Sequence, residues 1–484
     1  MKTLTRKGNT MKNARFLILL VATLIVAQNL HAQPTTANLR MRRDVASFTQ
    51  TEWNSLRAGI AAMKQLPADD PTSWQFQANI HFTSRPSSPL HNQCEHTPTP
   101  DGGVATHFLA WHRGYLHYFE RILRAKSGNP ALTLPYWNWQ ENRAIPQPFR
   151  STANNNPLFH RRFINDGSLI PIQLVSSDLS IAMNHLNFFS FQHGLEQSPH
   201  GSIHGAVGGD MGGIATSAND PIFWLHHCNI DRLWDIWINS SPQRQNSTNS
   251  NYLAREFSFV DENGNTVTHT TQQLLTSGGL GYFYDDSPMS FPVSAPMSTS
   301  PDDSMIASSL SQFEGAADKN LGFSDTRQVL SFSDQGQTMF ENATSGDQPG
   351  KVFIKITGIE YKVLPAFTYG VYLNLPKDET DSDRSSLYYV GSINFFGTNH
   401  KHKEQGDNQP ENETFKFDTR LDISPAVSKL KSAGTWDPKK ISVTLRPISP
   451  VAPKGKEEEK KAFYIESANS AKLKYEKIEV VSGQ

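Results

Sequence analysis

Along residues 51–64 the apolar side chains Trp53, Leu56, Ile60 and Met63 recur at helical spacing, which predicts an amphipathic helix over Thr51–Lys64. Phe108–Arg124 repeats that period with no Gly or Pro after Gly114. Phe223–Ile238 does so again, opened by Asp220-Pro221 with proline near the first turn. Loops rich in Asn, Pro and Gly separate these runs, at Ala144–Asn156 and Ser198–Asn219. The pattern changes at Glu256–Asp285, where Phe257, Phe259 and Val267 flank Asp261-Glu262-Asn263-Gly264 as in a hairpin with an Asn-Gly turn. Ser287–Asp303 is rich in Ser, Pro and Met and reads as a linker. From about Gln328 alternating and apolar runs predict strands over Val352–Ile359, Thr368–Leu375, Ser386–Phe396, Thr414–Leu421, Ile441–Pro447 and Lys472–Val480. Turn-like gaps between them suggest a β-sandwich, and the charge run Lys454–Lys461 reads as a solvated loop. The expected fold is a mainly α domain with long loops followed by a β-sandwich C-terminal domain.

At 484 residues the chain implies more than one unit, and 37% hydrophobic with 10% aromatic residues suffices for real cores. A formal charge of −1 leaves no global field to attract nucleic acid or an anionic membrane. Two cysteines, Cys94 and Cys228, do not make a disulfide scaffold. Lys12 and Arg15 precede the apolar run Phe16–Val26, and Ala32 closes a short polar stretch; this reads as a signal peptide over 1–32, with Met11 an alternative start. The run is short for a membrane span, so the mature protein is expected outside the cytoplasm, periplasmic or secreted.

Histidines crowd into Asn79–Asn239. In His200-Gly-Ser-Ile-His204 two histidines four apart share a helix face and can ligate one metal; a structural or surface pair is the alternative. Downstream, Asn219-Asp220-Pro221-Ile222-Phe223-Trp224-Leu225-His226-His227, continuing to Asp231 and Trp234, resembles the second copper-site signature of tyrosinases, catechol oxidases and molluscan haemocyanins. Upstream, Phe108-Leu109-Ala110-Trp111-His112-Arg113-Gly114-Tyr115-Leu116, ending at Phe119-Glu120, resembles the first.

This resemblance to the tyrosinase/polyphenol oxidase family implies a helical bundle holding two copper ions, each on three histidines. Neutral imidazoles suit copper, and three per ion leave a position open for reaction. His200, His204 and His227 match the second copper's ligands; His226 is set aside, since neighbours on a helix point about 100° apart. His81 and His112 match the outer ligands of the first copper. The middle one lies between His96 and His107, because Gly103 stands at the family's frequent position, nine residues before His112; His91 is a remoter choice. His96 is favoured with a loop insertion at about Thr97–Thr106, and Cys94 is then placed to bond it as a thioether. Asp231 is a candidate partner for His227. Glu196 and Asn219 match a carboxylate and an amide that hold a water near the phenol in plant enzymes. Gly201 stands where monophenol-hydroxylating members often carry Asn, Ser217 where a bulky gate can stand, and Phe223 where a ring can stack on a ligand.

The expected enzyme oxidises o-diphenols, and conceivably monophenols, to o-quinones with O₂. Its partners are small phenols and O₂, with no nucleic acid and no membrane after signal removal. An o-aminophenol oxidase or a haemocyanin-like oxygen carrier is the alternative. A zinc hydrolase lacks its general base, since Gly201 follows His200. The resemblance divides the mature chain into a dicopper domain over 33–286 with a closing segment 250–286, a linker over 287–325 and a β-rich domain over 326–484. In plant-type members that last part covers the copper site and keeps the enzyme latent.

Overall fold

The first long helix, α1 (Gln50–Gln65), starts where Thr49 and Glu52 cap each other reciprocally, and it buries Leu56, Ile60 and Met63. It crosses α3 (Phe108–Ser127) at Gly59, where a Cβ would stand 2.7 Å from Leu123 Cδ1 and 2.9 Å from the Leu123 carbonyl oxygen. Only glycine permits that approach. Between them α2 (Trp74–His81) is capped by Ser73. The structure is a computed structural model that describes residues 39–96, 107–288, 308–309, 311–312, 319–345, 350–380, 386–398, 414–449 and 457–483. The signal-peptide reading, the insertion at Thr97–Thr106 and nearly all of Ser287–Asp303 lie outside them.

Three shorter helices follow, α4 (Asp178–Met183), α5 (Phe188–Leu195) and α6 (Gly201–Val207), and then α7 (Pro221–Asn239). Asp220 caps α7 through the Ile222 N–H at 2.9 Å, with Pro221 in the first turn. The Asp220 side chain also takes two hydrogen bonds from the Arg162 guanidinium, which fixes the start of α7 to a loop. Phe119 of α3 stacks on Trp224 of α7 with ring centroids 3.4 Å apart. The expected hairpin is present as β2 (Glu256–Val260) and β3 (Thr266–Thr270), while β1 (Arg40–Arg42) runs parallel to β4 (Tyr282–Tyr284). One hydrophobic core unites these elements from Val45 to Tyr284.

A second core unites residues from Leu321 to Val480. It lies between two sheets. In one, β10 (Ile441–Ile448) is flanked by β5 (Thr326–Phe332) and β7 (Thr368–Leu373), and β8 (Tyr389–Ile393) lies beyond β7. In the other, β6 (Lys351–Tyr361) pairs with β9 (Phe415–Asp422) and β11 (Lys477–Gly483). The strand expected over Ser386–Phe396 is shorter than its apolar pattern, and the chain leaves the sheet at Asn394.

Three helices in this part went unread in the pattern: α8 (Asp334–Ser345), α9 (Ser424–Ser432) and α10 (Glu457–Ala471). The last corrects the solvated-loop reading of Lys454–Lys461 from Glu457 onward. Tyr464, Ala468 and Ala471 recur at helical spacing beyond the charges and bury against the sheet.

Candidate metal centre

Two groups of metal-capable side chains lie in the helical region: His81, Cys94, His96 and His112 in one, His200, His204, His226 and His227 in the other. Within each group one ligand atom per residue lies within 4.8 Å of all the others. His81 ends α2, His112 sits in the second turn of α3, and His200 and His204 bracket the first turn of α6. His226 and His227 share the second turn of α7. The two groups abut, with the His112 and His227 rings stacked 4.2 Å apart at 9°.

Backbone carbonyls set the tautomers. His112 Nδ1 lies 2.8 Å from the Phe108 oxygen, His200 Nδ1 2.9 Å from that of Glu196, His204 Nδ1 2.8 Å from that of Met211 and His81 Nδ1 3.1 Å from that of Ile214. A carbonyl only accepts, so each Nδ1 carries the proton and each Nε2 presents a lone pair. His96 donates instead to a carboxylate, with Nδ1 3.2 Å from Glu196 Oε1. The Nε2 atoms of His96 and His200 are buried without a hydrogen-bond partner among the described residues, and those of His204 and His227 stand 3.2 Å apart. Burial lowers the pKa of His112, His200, His204 and His227 well below the ordinary imidazole value, and neighbouring imidazoles add to the effect. The pocket thus holds neutral nitrogen donors facing one another, the valence that a transition-metal ion satisfies.

Several expected residues stand elsewhere than their motif suggests. His107 stacks on Tyr252 at 4.3 Å and bonds its carbonyl oxygen, and His91 packs against Phe76; His96 is the one inside the first group. Cys94 is in no disulfide; its Sγ lies 3.7 Å from His112 Nε2 and it belongs to the same group as His96. His226 stays with the second group, its ring stacked on His200 at 5.4 Å. Glu196 spans both groups, its carboxylate on His96 and its carbonyl on His200. The Asn219 side-chain oxygen accepts from Gln75 Nε2 at 3.3 Å. Phe223 lies 4.2 Å from His227 and 5.0 Å from His81.

Asp231 is a correction of a different kind. It points away from His227, into a buried network with Arg113 at 2.6 Å, Arg42 at 3.3 Å and the hydroxyls of Tyr282 and Tyr284 at 2.5 and 2.6 Å. Four residues along a helix share a face, but Asp231 is drawn to the arginines because an unpaired buried carboxylate is costly.

The C-terminal region supplies residues that no motif singled out. Phe396 stacks on His204 at 3.9 Å and 18°, and its ring lies 5.4 Å from His200 and 5.9 Å from His96. Ser217 is small as expected, yet the ring of Phe396 covers the second group. Asp178 of α4 receives Tyr389 Oη at 2.6 Å, Ser392 Oγ at 2.9 Å and the Ser198 hydroxyl. Tyr389 and Ser392 fall in the strand expected over Ser386–Phe396, whose pattern says nothing of these partners.

The sequence matches the common central domain of tyrosinase over residues 71–174 and 165–240, and the polyphenol oxidase middle domain over 246–296. Residues 316–457 match a domain of unknown function (DUF7868). A tyrosinase of Hahella sp. (strain CCB-MM4) is 27% identical over 471 residues, covering 85% of this chain and 96% of that protein. A chloroplastic polyphenol oxidase of Malus domestica is 25% identical over 431 residues, covering 77% of this chain and 71% of that protein. Among solved structures, latent apple tyrosinase aligns with a TM-score of 0.61 at 20% identity over 93% of this chain and 99% of that one. At that identity the likeness is one of fold.

Proposed function

For a chain whose residues 71–240 belong to the tyrosinase family, a two-copper oxidoreductase of the polyphenol oxidase type that oxidises phenols, we propose o-diphenols as substrates and O₂ as the oxidant. The reaction converts two o-diphenols and one O₂ into two o-quinones and two waters. The observation that carries this reading is the inward-facing set of Nε2 lone pairs, each fixed by a carbonyl or carboxylate on the far side of its ring.

His81, His96 and His112 would hold one copper, and His200, His204 and His227 the other. Bound there, the two ions supply the redox chemistry between phenol and O₂. Phe108, whose ring lies 4.6 Å from His112 and 4.7 Å from His200, and Phe223 wall the pocket with apolar surface and limit water. Glu196 is the proposed acceptor of the phenolic proton: it is buried at 5% exposure and already faces the pocket through His96. Asn219, its side-chain oxygen held by Gln75, is the proposed partner of Glu196 in holding a water there. A Cys94–His96 thioether belongs to the same reading and would appear as a mass deficit of two hydrogens.

Residues 33–286 form the catalytic unit on this reading, 287–325 the linker and 326–484 a shield whose Phe396 blocks the second metal group. Among the described residues no helix is long and apolar enough to cross a membrane, and export follows from the signal-peptide reading of 1–32. The test is O₂ uptake by copper-loaded protein before and after cleavage within Ser287–Asp303. Uptake with an o-diphenol that rises on cleavage supports both oxidase and shield. No uptake from two-copper, cleaved protein would remove the oxidase reading.

A further inference from the structure

Gly201 follows His200 and opens α6 with φ −63° and ψ −34°, ordinary helical values that any residue adopts. Its backbone therefore does not require glycine. A Cβ there would lie 2.5 Å from Asn394 Oδ1, 2.9 Å from its Cγ and 3.0 Å from its Nδ2, so the three nearest atoms all belong to one side chain of the C-terminal region.

That amide is not free to swing aside. Asn394 is 8% exposed, its Nδ2 donates to the Gln197 carbonyl, and its Oδ1 accepts from the Phe396 N–H at 3.1 Å. The same Phe396 carries the ring that stacks on His204. Nor can the strand slide, because Ser392 and Tyr389, two and five residues earlier, are both bonded to Asp178. A methyl group at position 201 would push the Asn394 amide, break one or both of its bonds and loosen the backbone that aims Phe396.

We propose that Gly201 is the seat on which the C-terminal region closes the site: Asn394 fills the space that a side chain at position 201 would need, and glycine there makes closure possible. The proposal rests on the reading of residues 326–484 as a shield and names the contact that regulates it. Residue 201, next to a metal-group histidine, then serves closure, and substrate selection at that position is coupled to latency.

The test uses the full, uncut, copper-loaded chain with Gly201→Ala, Asn394→Gly and the pair together. Two readouts are taken: amide hydrogen exchange of residues 389–396, and for each variant the ratio of o-diphenol turnover before and after linker cleavage. Gly201→Ala should raise exchange in that segment by about tenfold and bring its own uncut-to-cut ratio near one. In the Asn394→Gly background the same change should have no effect, since the space is already empty. Wild-type exchange and latency in Gly201→Ala, or an equal effect in both backgrounds, would overturn the proposal. Failure of the shield itself looks different: cleaved wild-type protein would gain no turnover, although Gly201→Ala still raised exchange.

Discussion

The same two helices, α3 and α7, carry two buried polar clusters that solve opposite problems. In one, His112 and His227 belong to groups of buried imidazoles in which, among the described residues, the Nε2 atoms of His96 and His200 meet no hydrogen-bond partner. In the other, Arg113 and Asp231 pair with each other, while Arg42 and Glu120 extend the network. Burial pushes the Asp231 carboxyl up, and the charges of Arg113 and Arg42 outweigh it and hold it low. The ion pairs fix the helices; the histidines, one residue away on α3 and one turn away on α7, are left with donor capacity to spend on a metal. A cluster that satisfies itself is structure, and a cluster that leaves its valence open is chemistry.

Breaking the chemical side should have the largest effect. His204→Ala should leave a folded protein with about one copper per chain in place of two, and little diphenol turnover, because three protein ligands are needed to keep an open catalytic site. Metal analysis and thermal unfolding check it; a two-copper variant would break the assignment. Breaking the structural side should reverse the pattern. Asp231→Ala removes one of two carboxylate partners from each of the buried Arg113 and Arg42, which keep Asp235 and Glu120, and should cost about 3 kcal/mol, read by urea unfolding, while the folded fraction still binds two coppers.

Asp178 sharpens the contrast, since it is a buried carboxyl that has hydroxyl donors and no cation. Burial pushes it up to about 6, against the lowering effect of Ser198, Tyr389 and Ser392. The groups facing it are those hydroxyls, with Tyr372 behind Tyr389. A pKa raised in the docked state favours docking fully below the ordinary carboxyl value, and that contribution is lost as pH rises through about 6. Docking of the C-terminal region should therefore weaken by up to about a hundredfold toward pH 8. Hydrogen exchange of 389–393 should follow that curve, and Asp178→Asn should flatten it. The smallest effect is expected for Ser392→Ala, about 1 kcal/mol from the loss of a hydroxyl shared with Asp178, Ser198 and Ser202, read as a modest rise in that exchange.

Much of the helical region was legible because its signals are local. Helix α1 shows its apolar spacing, Asp220-Pro221 marks the start of α7, and the motifs around His112 and His227 are contiguous. What stayed hidden depends on distance in the chain. The contact of Asn394 with Gly201 joins residues 193 positions apart, and Phe396 reaches His204 from the end of a strand that reads like any other. The partners of Asp231 come from α3, β1 and β4, so the helix spacing that suggested His227 could not find them. In α10 the charges of Lys454–Lys461 masked an apolar face that begins three residues later.

On the proposed reading the two histidine groups work as one copper oxidase of o-diphenols. The most direct measurement is O₂ consumption against quinone formed, on metal-analysed protein cleaved in the linker. Two coppers per chain and two quinones for each O₂ are expected. Reversible O₂ binding with no quinone, or turnover from protein carrying a single metal, would contradict it.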